Sequence, residues 1–126
     1  MVFTLYGSPI STCTARVSVV LNEYNVPFEV VEVDLANNEH KSEPFLKIQP
    51  FGQVPYAEDN GFTLYESRAI TRYIAAKYQT DSSVHLLPNP TTEPEKYARF
   101  EQAASVEVSH FNQWASEAAE EFIFKA

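Results

Sequence analysis

The stretch PFGQVPYAEDNGFTLYESRAITRYIA, residues 50–75, decides the fold. Two short apolar runs, Val54 to Ala57 and Phe62 to Tyr65, flank Asp59-Asn60-Gly61. Asn-Gly supplies the positive-φ pair that a tight two-residue turn requires, so the two runs are expected to pair as a β-hairpin. Directly behind Glu66-Ser67-Arg68, residues Ile70, Tyr73, Ile74 and Tyr78 recur at helical spacing, which puts Ser67 at a helix start. A helix start is a natural anion site, because its first amides have no partner inside the helix. Pro55 cannot donate to a strand ladder and is confined to a sheet edge or a strand start. An edge beside a helix start can hold an extended peptide through backbone groups.

Upstream, Val2 to Tyr6 reads as a strand in which Phe3 and Leu5 alternate against Val2 and Thr4, closed by Gly7-Ser8-Pro9. From about Thr12 to Tyr24, the residues Val17, Val20, Leu21 and Tyr24 form one face of an amphipathic helix, with Ser11 at or near its N-cap. FEVVEVD, from Phe28 to Asp34, is nearly continuous in valine and predicts a strand covered on both faces. Strand, helix, strand in this space is a βαβ unit with parallel strands. Asn37 to Lys41 is polar and unpatterned, hence a loop, and Ser42 to Ile48 can form a short helix. The expected architecture over residues 1–78 is therefore α/β: βαβ then ββα, a mixed four-stranded sheet packed by helices.

Downstream, Gln79 to Thr92 is dense in turn formers and reads as a linker. Thr92-Glu93-Pro94-Glu95 predicts a capping box with Thr92 as N-cap. The stripe Tyr97, Phe100, Ala104, Val108, Phe111, Ala115, Ala118 and Phe122 then predicts one long helix over residues 93–126 that needs an apolar partner. Phe111, Trp114 and Phe122 are expected to pack in a core rather than line a pocket.

The 126 residues, 44% hydrophobic and 21% charged, fit one globular domain, or one small domain plus a piece of another. A net charge of −8 argues against tracking nucleic-acid phosphates, which takes clustered Lys and Arg. No apolar run approaches a membrane span and no charged leader precedes one, so no membrane association and a cytoplasmic location are expected. The single cysteine, Cys13, excludes an intrachain disulfide and agrees with a reducing compartment. His40, His85 and His110 are dispersed, so no metal site is expected.

GSPISTCTARV at residues 7–17, EHKSEPFLKIQPFGQVP at 39–55 and LYESRAITRYIA at 64–75 closely resemble the glutathione transferases, specifically the serine-type phi class. The motifs cover residues 2 to about 80 densely, and Glu93 to Lys125 resembles more loosely the first helix of the family's all-helical second domain. The resemblance implies a thioredoxin-like domain that binds glutathione as co-substrate, a small hydrophobic electrophile as second substrate, a homodimer, and a chain that stops early in the helical domain.

It also assigns residues. Ser11 matches the serine that hydrogen-bonds the glutathione sulfur; a lone serine without a neighbouring base is suited to donating rather than attacking. Gln53 and Val54 match contacts to an extended peptide, and Pro55 the cis-proline of the fold. Glu66 and Ser67 match the pair on the γ-glutamyl end, His40 and Lys41 the cations at the glycyl carboxylate, and Phe51 a dimer contact. Two other readings stand beside this one: a non-catalytic glutathione-binding or interaction module, and a reductase using Cys13. Against the latter, Cys13 lies two helical positions from Ser11, on a different side, and reads as a buried structural cysteine. Arg16 and Arg68 read as partners for buried polar groups.

Overall fold

Alternation in the first strand sets the layers. In the computed structural model, which describes residues 2–125, β1 (Phe3–Gly7) buries Phe3, Leu5 and Gly7 and leaves Thr4 and Tyr6 half-buried. It pairs in parallel with β2 (Phe28–Glu32) and antiparallel with β3 (Tyr56–Asp59). β3 pairs antiparallel with β4 (Phe62–Tyr65), giving the order β2-β1-β3-β4. The hairpin turns on Asn60 (φ 51°) and Gly61 (φ 82°). This is a thioredoxin-like α/β layer. β3 starts at Tyr56 rather than Val54, since Pro55 has no N–H to give the ladder.

On one face, α1 (Thr12–Glu23) and α3 (Ser67–Tyr78) cover the sheet. Leu5, Val17, Leu21, Ile70 and Ile74 are all 0% exposed and pack with Phe3, Val26 and Ala57. On the other face Phe45, from the single-turn α2 (Glu43–Leu46), packs with Val33 and Tyr56 and with the half-buried Tyr6 and Tyr65. Tyr6 stacks on Tyr56 at 4.4 Å between ring centres.

Other expectations need correction as well. β2 is an edge strand with Val30 44% and Val31 41% exposed, because only β1 flanks it; valine favours an extended edge as well as a buried strand. Glu39–Lys41 forms a 3-10 turn where loop was expected, held by Ser42 N–H donating to the Glu39 carbonyl (3.0 Å). Thr92 is no N-cap: its N–H donates to Asn89 Oδ1 (3.2 Å), so the preceding turn claims it, and α4 (Pro94–Val106) begins behind Glu93 without a side-chain cap.

The chain divides into two compact units between Leu86 and Leu87. In the first, Tyr24 Oη donates to Gln79 Oε1 (2.9 Å) and accepts from Leu86 N–H (3.2 Å), tying the chain after α3 back to the end of α1. In the second, α4 widens to a π turn at Glu107–Phe111, continues as α5 (Asn112–Ala119) and widens again at Glu120–Phe124. Phe111, Trp114 and Phe122 are 62%, 64% and 78% exposed rather than packed in a core. Among the described residues of this unit, α4, α5 and the two π turns follow one another without a break, and no residue of α4 or α5 is buried.

α3 is fixed at its far end by a buried carboxylate. Asp59, the last residue of β3, accepts hydrogen bonds from Tyr73 Oη (2.8 Å), Tyr78 Oη (3.2 Å) and Lys77 Nζ. Burial alone raises its carboxyl pKa, but the three donors outweigh that and hold it below the usual range. A folded-state pKa below the unfolded one contributes stability above the unfolded value of about 4, and that contribution is lost as pH falls through the folded value. Asp59→Ala should cost about 2 kcal/mol at pH 7, the order expected for hydrogen bonds to a charged group. Urea melts from pH 7 to pH 3 should show a shallower acid loss in the variant than in the wild type.

Candidate functional site

Register determines where the helices begin. Tyr6, Tyr56 and Tyr65 lie in one row across β1, β3 and β4. β1 and β4 run in the same direction, both antiparallel to β3, and each leads into a helix at its C-terminal end. Ser11, the Gln53-Val54-Pro55 approach to β3, and Glu66-Ser67 therefore all lie beyond the same edge of the sheet. Strands sit about 4.8 Å apart, so the two strands that lead into α1 and α3 are about 10 Å apart.

Ser11 caps α1. Its Oγ accepts from Thr14 N–H (3.2 Å), and its own N–H donates to the Ser8 carbonyl (3.0 Å). Thr14, buried below, takes Ser8 N–H on Oγ1 (3.2 Å) and sits so close to Gly7 that a Cβ there would lie 2.5 Å from that oxygen. Glycine at the end of β1 thus lets the helix start close against the strand. The cap uses only the acceptor side of Ser11; its hydroxyl proton has no acceptor among the described residues.

At the start of α3, Glu66 is exposed and lies at φ 73°, a costly region for a residue with a Cβ, and no side chain caps the helix. Ser67 is buried and its Oγ accepts from Arg16 Nη1 (2.7 Å), which bridges α1 to α3. The same Nη1 approaches Cys13 Sγ (3.6 Å), and Cys13 is half-buried rather than buried. Arg16 does serve a buried polar group, although spacing alone could not name Ser67.

The third part of the site is the segment that enters β3. Lys41 is exposed, and its Nζ donates to the Gly52 carbonyl (2.8 Å), drawing the His40-Lys41 turn against Gly52-Gln53. His40 is half-buried, with Nδ1 enclosed and without a hydrogen-bond partner among the described residues. Gln53 is exposed, Val54 half-buried, and the Val54–Pro55 peptide bond is cis. Phe51 is 64% exposed, its ring edge-on to Tyr65 at 6.1 Å. Gln49, fully buried, holds this turn by accepting Phe51 N–H on Oε1 (2.7 Å).

The structure thus joins His40, Lys41 and Gln53 through Gly52, and Ser67 to α1 through Arg16. No hydrogen bond ties Ser11 to His40, Lys41, Gln53 or Glu66 among the described residues. A groove missed in the sequence lies between Ser8-Pro9-Ile10 and Glu32–Ala36; the signal for it was Ile10, an apolar residue in a turn, here 72% exposed. Among the described residues, no group of three or more His, Cys, Asp or Glu gathers to hold a metal ion. Nor is any helix of the described residues long and apolar enough to cross a membrane.

The sequence family described as glutathione S-transferase, N-terminal domain, matches residues 1–76. The chain belongs to the glutathione S-transferase family. It is similar to glutathione S-transferase hmp2 of Hypomyces subiculosus, 47% identical over 125 residues, covering 99% of this chain and 57% of the relative. It is also similar to glutathione S-transferase PM239X14 of Arabidopsis thaliana, 49% identical over 122 residues, covering 95% and 55%. The crystal structure of glutathione transferase F7 from Populus trichocarpa superposes with a TM-score of 0.89 at 40% identity, over 98% of this chain and 57% of that one. The chain spans little more than half the length of these relatives.

Gly52 tests the third part of the site in this family member. It lies at φ +59°, and a Cβ there would sit 2.8 Å from the His40 carbonyl and 2.9 Å from Lys41 Cδ and Nζ. Gly52→Ala should therefore push the His40-Lys41 turn away and lower stability by about 1–3 kcal/mol. Thermal melting checks the stability, and loss of the Lys41 to Gly52 contact is visible in a crystal structure of the variant.

Proposed function

We propose that this chain carries the glutathione site of a phi-class, serine-type glutathione transferase, and that Ser11 holds the glutathione sulfur as thiolate for addition to a small hydrophobic electrophile. The observation that carries this reading is the state of Ser11 Oγ: it accepts Thr14 N–H while its proton is left to donate, at the positive end of α1. Lowering a thiol pKa from about 8.5 by two units corresponds to about 2.7 kcal/mol of preference for thiolate, which one hydroxyl bond and a helix end can supply.

The tripeptide's length fits the same geometry. Three extended residues span about 10 Å, matching the two strand spacings between β1 and β4. In this reading the γ-glutamyl carboxylate meets Ser67 and the first amides of α3, and its ammonium meets Glu66. Gln53 and Val54 hold the backbone beside Pro55, and His40 and Lys41 meet the glycyl carboxylate. Ile10, exposed next to Ser11, offers an apolar side to the electrophile. The domains of this reading are residues 1–78 for glutathione, a linker over 79–92, and the first helix of a helical domain over 93–126. Exposed Phe51 is the contact to a second copy of the chain.

A second reading, a binding module of the same fold without turnover, is favoured by one observation: no residue of α4 or α5 is buried. Conjugation of a model aromatic halide by the wild type and by Ser11→Ala separates the two. The transferase reading expects turnover in the wild type that falls at least about 10-fold in the variant, with glutathione still retained. Turnover unchanged in Ser11→Ala would overturn the role of Ser11, and retention without any turnover would favour the module.

A further inference from the structure

Arg16 is a half-buried cation with an unusual set of neighbours. Its Nη1 donates to Ser67 Oγ (2.7 Å) and approaches Cys13 Sγ (3.6 Å), and no carboxylate pairs with it among the described residues. A charge withdrawn from water is ordinarily paired. Here the guanidinium instead faces the start of α3, where the helix dipole is already positive. Glu66, the adjacent acid, is exposed and does not reach it. Two positive groups brought together around one buried hydroxyl repel each other, and an anion seated between them relieves both.

The hydrogen bond also has a direction. A guanidinium can only donate, so it occupies a lone pair of Ser67 Oγ, and a charge-assisted bond of this length holds the hydroxyl firmly. Ser67 is 6% exposed, and its proton has no acceptor among the described residues. We infer that Arg16 is a positioning residue for the anionic end of the ligand: it turns the Ser67 hydroxyl into a fixed donor and adds positive charge at the start of α3. The inference rests on the proposed reading of Ser67 as the contact to the γ-glutamyl carboxylate.

A double-mutant cycle in the full chain tests it, with glutathione as probe and affinity read by calorimetry. Arg16→Met should weaken binding at least 10-fold in the Ser67 background and less than twofold in the Ser67→Ala background. Arg16→Lys, which keeps the charge but not the planar donor, should restore part of the loss. If Arg16→Met loses its circular dichroism signal or cooperative melt, the cycle is read on Arg16→Lys, expected to weaken binding at least threefold with Ser67 and less than twofold without it. Equal effects in both backgrounds, or an Arg16→Met variant within twofold of wild type while Ser67→Ala is weakened, would overturn the role of Arg16 and leave the glutathione site standing. A wild-type chain that does not bind glutathione would overturn both.

Discussion

The apolar seam between α1 and α3 is the constraint on which the site depends. Val17 and Leu21 on one helix and Ile70 and Ile74 on the other are completely buried against Leu5 and Ala57 of the sheet. Each such side chain contributes about 1.5–3 kcal/mol by leaving water. Because β1 and β4 run in the same direction, the seam holds two helix starts at one edge of the sheet. Asp59 fixes the far end of α3 to the hairpin, and Arg16 links its near end to α1. The positions of Ser11 and Ser67 relative to each other follow from these three attachments.

The two serines share a chemical arrangement. Each hydroxyl oxygen already accepts from the protein, Ser11 from a backbone amide of its own helix and Ser67 from the guanidinium of the other helix. Each proton is left to donate. A thiolate and a carboxylate are both acceptors, and a fixed hydroxyl donor suits either one. The contact of Lys41 with Gly52 holds the His40-Lys41 turn against the segment that enters β3. Residues 1–76, which match the family's N-terminal domain, contain every part of this arrangement.

Much of the fold was legible because local signals and long-range packing agree. Asn60-Gly61 dictated the hairpin, the spacing of Val17 and Leu21 dictated the buried face of α1, and Ser11 read as a cap and is one. The failures have physical causes. A valine run looks alike in a covered strand and in an edge strand, since burial depends on what the rest of the chain places beside it, and β2 has a neighbour only on the β1 side. Thr92 satisfied a capping pattern, but Asn89 competes for the same amide and wins. Phe111 and Phe122 fit a core stripe, yet a stripe states only that a helix could be covered. The Arg16 to Ser67 bond joins residues 51 positions apart, which no local pattern could reveal.

The most direct test of this account is a crystal structure of the chain grown with reduced glutathione. The account predicts the tripeptide extended along the sheet edge, with its sulfur within hydrogen-bonding distance of Ser11 Oγ and its γ-glutamyl carboxylate on Ser67 Oγ beside Arg16. Glutathione lying away from that edge, or with its sulfur at Cys13 instead of Ser11, would contradict it.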